Sequence, residues 1–157
     1  MERYFEKISY DEFKKVFGDE EQLYNDYKLP ERKTSSSAGY DFIAIKDIVI
    51  KPGEIVKIPT GYKANMLDDE VLLILVRSSM GFKYNVRLCN QVGVIDSDYY
   101  NNPDNEGHMW LSLQNHGDKD CVIEAGKAYA QGIFTKFLTT GDIVDSKRTG
   151  GIGSTNK

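Results

Sequence analysis

The chain has 157 residues, of which 40% are hydrophobic and 28% charged, and its formal net charge is −4 at pH 7. This length predicts one domain with a substantial core, and the acidic balance argues against a nucleic-acid-binding surface. No apolar run approaches the roughly 18 residues of a membrane span, and the acidic start MERYFEKISYDEF does not resemble a signal peptide. We therefore expect a cytoplasmic protein without membrane contact, whose thiols, Cys89 and Cys121, stay reduced.

The first predicted element is a helix over about residues 9–18. Ser9 and Glu12 form a capping-box pattern, and apolar residues recur three and four positions beyond Phe13 before Gly18 ends the pattern. We expect this helix to pack on the rest of the domain, with its aromatic side chains in the core.

A second short helical turn is expected over residues 19–27, and from Ala38 onward the pattern changes to short strands. The segment IVIKPGEIVKI predicts two strands around a type II turn with Pro52 and Gly53 at its centre. The run VLLILV, residues 71–76, is wholly apolar, which predicts a buried strand.

Strand patterns continue to the end of the domain. Residues 109–114 alternate between apolar and other side chains, and residues 121–137 predict two more strands joined through Ala125 and Gly126. The prediction is an all-β sandwich or barrel over residues 1–147, followed by a separate segment, residues 148–157.

Two segments interrupt this β pattern with groups suited to phosphate chemistry. RSSMG, residues 77–81, ends the apolar strand with a cation and hydroxyl donors, which suit phosphate oxygens, although an arginine paired with a carboxylate beside a serine turn would look the same. GVIDSDYY, residues 93–100, places Asp96 and Asp98 on one face if it is a strand. A carboxylate there can activate water or hold a metal, or the acids can simply lie on a surface turn.

Three weaker signals accompany them. AGYDF supplies Asp41 next to a glycine, and GKAYAQG supplies the amide of Gln131. The last ten residues, RTGGIGSTNK, contain three glycines and only one sizeable apolar side chain, Ile152. Such a decapeptide is either a frayed terminus or a flexible arm with a function.

In this order, AGYDF, RSSMG, NQVGVIDSDYY, GKAYAQG and RTGGIGSTNK closely resemble the five motifs of the trimeric dUTP diphosphatases (dUTPases). The segment NNPDNEGH is similar to the longer hairpin of some bacterial and phage members. The resemblance implies a β-barrel or jelly-roll subunit and a homotrimer with active sites at the subunit junctions. It also implies hydrolysis of dUTP to dUMP and pyrophosphate with Mg²⁺, which removes dUTP and supplies dUMP.

The resemblance also implies roles for individual residues. Asp96 would hold and deprotonate the attacking water, Tyr99 would exclude the 2′-hydroxyl of UTP, and Asp41 would meet Mg²⁺ through its water shell. Other substrate contacts would come from Arg77, Ser78, Ser79, Gly81, Asn90, Gly93, Gly107, Met109, Gln131, Arg148, Gly151, Ile152, Ser154 and Thr155. Of these, Arg77, Ser78, Ser79 and Gln131 would act from a second subunit, and the arm would close a neighbour's site.

The arm departs from the family pattern at two positions. Ile152 stands where the family carries a phenylalanine that covers the uracil ring, so stacking is lost. The family's arginine stands where this chain has Lys147; we favour Arg148 for phosphate because a guanidinium can grip it in a bidentate way.

Two other functions are compatible with these motifs. A dCTP deaminase shares the fold, but the GVIDSDYY segment and the glycine-rich arm favour the dUTPase. A regulatory protein that binds a repressor, as some phage members do, is the third possibility. Six residues are interpreted as structural: the turn histidines His108 and His116, the small buried side chains Cys89 and Cys121, and the loop-solvating acids Asp104 and Glu106.

Overall fold

The computed structural model describes residues 2–153, and strands dominate this part of the chain. The strands are β1 Tyr4–Lys7, β2 Tyr40–Ile43, β3 Ile48–Ile50, β4 Ile55–Pro59, β5 Tyr62–Asn65, β6 Glu70–Val76, β7 Val86–Leu88, β8 Gly93–Asp96, β9 Trp110–Asn115, β10 Cys121–Ile123 and β11 Ala128–Lys136. The helices are α1 Tyr10–Phe17, α2 Glu21–Asp26 and α3 Ser78–Tyr84, with a 3₁₀ turn at Ser97–Tyr99.

The strands form small antiparallel sheets around one core. The largest has the order β2-β11-β6-β8, and a second has the order β4-β9-β7. The pairs β1-β5 and β3-β10 complete the arrangement. Strands that are adjacent in each sheet are not consecutive in the sequence, as is typical of a jelly roll. The predicted all-β fold is confirmed.

Several local predictions are confirmed. Gly53 has φ 80°, and the amide of Glu54 donates to the carbonyl of Lys51 over 2.9 Å, as a type II turn requires. Strand β9 alternates as predicted, with Leu111 and Leu113 buried in the core. Both N-terminal helices are present, and no helix among residues 2–153 is long and apolar enough to cross a bilayer.

Helix α1 packs on the barrel as predicted, but only half of its capping box forms. The hydroxyl of Ser9 accepts from the amide of Glu12 over 3.2 Å, and Phe13 is fully buried. The carboxylate that receives the amide of Ser9 belongs to Glu106, at 2.9 Å. The interpretation of Glu106 as a loop-solvating acid is therefore wrong, because it accepts a hydrogen bond from the start of a distant helix.

Three other features differ from the prediction. Strand β1 was not expected; it pairs with β5, with Phe5 opposite Ala64. No helix was predicted at the RSSMG motif, which begins helix α3. Cys121 is buried as predicted, but Cys89 is exposed, because it follows β7 at the mouth of a cavity.

Candidate active site

A cavity of about 500 Å³ lies between β8, β9 and the C-terminal segment. Eight residues predicted to contact substrate or water line it: Asn90, Gly93, Asp96, Tyr99, Met109, Arg148, Gly151 and Ile152. They come from the turn before β8, β8 itself, the 3₁₀ turn, the residue before β9 and the chain's last described residues. The fold thus brings together two motifs that are about fifty positions apart in the sequence.

Two carboxylates and one guanidinium meet at the rim of this cavity. Nη2 of Arg148 donates to Asp96 over 2.7 Å, and Nε donates to Asp98 over 2.8 Å. Asp96 ends β8 and Asp98 lies in the 3₁₀ turn that follows, so the shared face expected of a continuous strand does not form. Hydrogen bonding to Asp98, opposed by partial burial, raises the pKa of Arg148, which keeps it a cation.

The side chain of Arg148 points into the site, whereas Lys147 is exposed. This placement agrees with the choice of Arg148 as the residue that could grip phosphate. In this single chain the arm lies against its own Asp96, although the sequence predicted that it serves a neighbouring subunit. Ser154 and Thr155, two further predicted contacts, lie outside the described residues.

Tyr99 forms the wall between the cavity and residues 101–108, which we call the hairpin segment. Its ring is half-buried, and the guanidinium of Arg148 lies 5.8 Å from the ring centroid. Burial raises the pKa of the Tyr99 hydroxyl, so the phenol stays protonated and can donate. The predicted contact Gly107 does not line the cavity; it lies behind Tyr99.

Sequence reasoning missed part of the lining. Trp110, Ser112 and Cys89 also face this cavity, and the hydroxyl of Ser112 lies 3.3 Å from the sulfur of Cys89. The alternation along β9 could have placed Trp110 and Ser112 on the outward face. It could not show that β8 and the C-terminal segment turn that face into a cavity wall.

A second cavity, of about 310 Å³, collects the other predicted phosphate and metal residues. It is lined by Lys33, Ser37, Ala38, Gly39, Asp41, Arg77, Ser78, Gln131 and Ile133. Nε of Arg77 lies 3.4 Å from Oδ1 of Asp41. The predicted contacts Ser79 and Gly81 are exposed on α3 and do not belong to this lining.

Asp96 of the first cavity and Arg77 of the second lie near opposite ends of one strand within the chain. Strand β6 connects them: Val71 pairs with Asp96 at one end, and Arg77 follows the other end. Six residues of extended strand span about 20 Å. The phosphorus atoms of a triphosphate are joined through single bridging oxygens, so one triphosphate cannot reach from Asp96 to Arg77 of the same chain.

Within this jelly roll, one cavity presents carboxylates and a guanidinium, and the other presents cations with hydroxyl and amide donors, a set of groups suited to a protein that acts on phosphates. Comparison with known proteins gives the particular family. The family model described as dUTPase matches residues 25–155. The chain belongs to the dUTPase family.

Individual relatives agree with this assignment. The chain is 52% identical over 130 residues to the deoxyuridine 5′-triphosphate nucleotidohydrolase of Lactococcus lactis subsp. lactis, an alignment that covers 81% of this chain and 87% of that protein. Its counterpart in Pseudomonas fluorescens is 39% identical over 137 residues, covering 82% and 87%.

Solved structures show the same fold. The dUTPase of Streptococcus mutans matches with a TM-score of 0.71 and 42% identity, covering 88% of this chain and 98% of that one. The dUTPase of phage phi11 of S. aureus matches with a TM-score of 0.68 over 93% and 97% of the chains, at 17% identity. At this identity, the similarity to the phage dUTPase structure establishes only that the two proteins share a fold.

Proposed function

We propose that this chain hydrolyses dUTP to dUMP and pyrophosphate, with Asp96 as the general base. The observation that carries the proposal is the position of Asp96, whose carboxylate ends β8 at the rim of the main cavity, beside Tyr99. A carboxylate there can accept the proton of a water that attacks the α-phosphorus in line with the leaving pyrophosphate. The family assignment and the relative from Lactococcus lactis support this substrate.

Arg148 has two successive tasks in this proposal. It pairs with Asp96 and Asp98 and offsets part of the charge of these two carboxylates, which repel each other and an incoming triphosphate. Phosphate oxygens compete for the same guanidinium when the nucleotide binds. Transfer of Arg148 to the phosphates frees Asp96 to hold the water and brings a cation to the developing charge.

Discrimination among nucleotides comes from the cavity walls. The ring of Tyr99 would lie against the deoxyribose and leave no space for a 2′-hydroxyl. Asn90 and the backbone near Met109 would read the polar edge of uracil, and a site built for those hydrogen bonds leaves cytosine badly paired. Ile152, 95% exposed in the described chain, would cover the base by apolar contact without ring stacking.

Completion of the site requires a second copy of the chain. Arg77, Ser78 and Gln131 would hold the phosphates from the neighbouring subunit, because about 20 Å of strand separates Arg77 from Asp96 of its own chain. A homotrimer with sites at the subunit junctions satisfies this geometry.

The residues of the second cavity fit a magnesium ion held through water. Oδ2 of Asp41 is buried and, within residues 2–153, has no hydrogen-bond partner, so it can accept from a coordinated water. No three His, Cys, Asp or Glu side chains in this part of the chain are grouped to hold a metal directly. When bound, Mg²⁺ would neutralise phosphate charge, and Asp41 would orient its water shell.

One assay separates this function from its alternatives. The protein is offered dUTP, dCTP, UTP and dTTP with Mg²⁺, and pyrophosphate and ammonia are measured. Pyrophosphate from dUTP alone supports the proposal, whereas ammonia from dCTP identifies a deaminase. Absence of turnover overturns the proposal and favours the regulatory role. The repressor partner of that role stays a prediction. The cytoplasmic location also stays a prediction.

A further inference from the structure

The hydroxyl of Tyr99 is held by two hydrogen bonds of opposite sense. It donates to the backbone carbonyl of His108 over 2.8 Å and accepts from Nδ2 of Asn105 over 2.9 Å. Both partners belong to the hairpin segment. A phenol ring fixed only at its Cβ end can swing, but these bonds also fix the far end of the ring.

The amide of Asn105 is itself oriented by its surroundings. Its Oδ1 accepts from the amide of Gly107 and from Nδ2 of Asn102, each over 3.1 Å. These two donors require the oxygen on their side, so the nitrogen faces Tyr99. Asn105 therefore presents a donor to the Tyr99 hydroxyl in one orientation only.

The hairpin segment also presses on the backbone of Tyr99. The amide of Asn102 donates to the carbonyl of Tyr99 over 3.1 Å. Gly107 has φ +82°, and a Cβ placed there would come within 2.3 Å of that carbonyl. The segment thus contacts both the main chain and the side chain of Tyr99 without space between them.

The hairpin segment is anchored to the rest of the fold on two sides. The buried ring of His108 accepts from the amide of Gly61 over 2.9 Å, and Glu106 accepts from the amide of Ser9 over 2.9 Å. Burial opposes ionisation of Glu106, but hydrogen bonds from Ser9 and the charge of Lys63, 3.6 Å away, hold its pKa below the usual value. These anchors make the segment a rigid support.

We propose that Asn105 is a positioning residue for sugar discrimination, and that the hairpin segment braces the ring of Tyr99 against the 2′-position of the substrate. A wall that rejects a single hydroxyl group works only if it cannot move aside. The contacts of Asn105 supply that stiffness from outside the substrate cavity. This inference rests on the proposed function, in which Tyr99 contacts the sugar.

The test compares dUTP with UTP in four proteins: wild type, Asn105→Ala, Tyr99→Phe and the double variant. Loss of one neutral hydrogen bond changes an equilibrium about fivefold, so Asn105→Ala should narrow the ratio of kcat/KM for dUTP over UTP by about that factor. Asp104→Ala, an exposed neighbour in the same segment, is the matched control and should leave the ratio unchanged.

The double variant shows whether Asn105 acts through Tyr99. Tyr99→Phe already removes the hydroxyl, so adding Asn105→Ala to it should change the ratio no further. A ratio unchanged in Asn105→Ala, or narrowed equally in the Tyr99→Phe background, overturns the inference. Failure of the wild type to hydrolyse dUTP would instead overturn the proposed function, so the two failures are distinct.

A purely structural role for Asn105 is separated by a second measurement. Urea denaturation at a fixed protein concentration gives the stability of each variant. Asn105→Ala could lower the stability and lower kcat/KM for dUTP and UTP by the same factor, so that the ratio of the two values is preserved. In that case Asn105 supports the fold and not the ring of Tyr99, and the inference is wrong.

Discussion

Arg148 and Asp96, 52 positions apart, form an ion pair in which Nη2 lies 2.7 Å from Oδ2. The guanidinium side chain is mostly enclosed, whereas the carboxylate is about half-exposed. The pair therefore couples the C-terminal segment to the proposed general base, and a bound triphosphate would compete with the carboxylate for the same cation.

Asp96→Asn should preserve the fold and nucleotide binding while lowering kcat for dUTP by about 10²–10⁴-fold, because an amide cannot accept the proton of the attacking water. Steady-state hydrolysis and equilibrium binding of a non-hydrolysable analogue measure the two effects separately. Asp98→Asn is the matched control, since Asp98 also contacts Arg148, and it should lose far less activity. Equal losses in both variants would remove Asp96 from the role of base.

Arg148→Lys should lower kcat/KM for dUTP by about tenfold to a hundredfold. In the proposed function Arg148 leaves Asp96 and Asp98 for the phosphates, and an ammonium group cannot reproduce the bidentate grip of a guanidinium on phosphate oxygens. Lys147→Ala, a change at the exposed neighbour, should stay near wild type in the same hydrolysis assay. A greater loss in Lys147→Ala would assign the phosphate grip to Lys147.

Deletion of residues 148–157 should leave a folded but nearly inactive protein, and co-refolding it with Asp96→Asn chains should restore activity. The segment that leads to the arm exposes Leu138, Ile143 and Val144, apolar side chains that a neighbouring subunit could cover. An arm that crosses in this way would bring Arg148 to the Asp96 of the neighbouring chain.

The hydrolysis rate of the co-refolded mixture is compared with that of the deletion variant and of Asp96→Asn, each refolded alone. Mass measurement verifies that mixed assemblies have formed. Verified mixed assemblies without activity would show that the arm serves its own chain, in the arrangement seen in the single subunit.

Gly107→Ala should destabilise the protein more than Gly126→Ala and should also raise KM for dUTP. Both glycines have positive φ, +82° and +85°, so each alanine bears the cost of a left-handed conformation, about 1–2 kcal/mol. Only at Gly107 would the added Cβ meet the carbonyl of Tyr99, whereas nothing lies within 4 Å at Gly126. An equal fall of the urea midpoint in the two variants, with an unchanged KM for dUTP in Gly107→Ala, would argue against this contact.

Acid should weaken the fold through His108. Burial lowers the pKa of this histidine to about 4, from 6.5. Between these values the unfolded chain takes up a proton that the folded chain does not, so the free energy of unfolding falls as the pH drops from 6.5 to 4. The contribution of one such group is on the order of 3 kcal/mol.

His108→Gln keeps an acceptor for the amide of Gly61 but does not titrate, so its unfolding free energy should change less across this pH range. Urea denaturation between pH 7 and pH 4.5 at one protein concentration measures the difference. His116→Gln, at the exposed histidine, should follow the wild type. Parallel curves for His108→Gln and wild type would contradict the prediction.

The sequence by itself determined those features that depend on neighbouring residues. The turn at Gly53, the start of α1 at Ser9 and the alternation of β9 follow from local backbone and side-chain preferences, and all three are confirmed. The order of the motifs was sufficient to identify the family. These features could be predicted because each depends on residues that are close together in the sequence, whatever the rest of the fold.

Only the tertiary structure decided which distant groups meet. Glu106 lies 97 positions from Ser9, yet it accepts the amide hydrogen that the local pattern had assigned to Glu12. Asp98 joins Asp96 because the chain turns after β8, and the short β1 forms because β5 offers it a partner. Local preference cannot encode such contacts, since each depends on where packing of the core brings two segments that are separated along the chain.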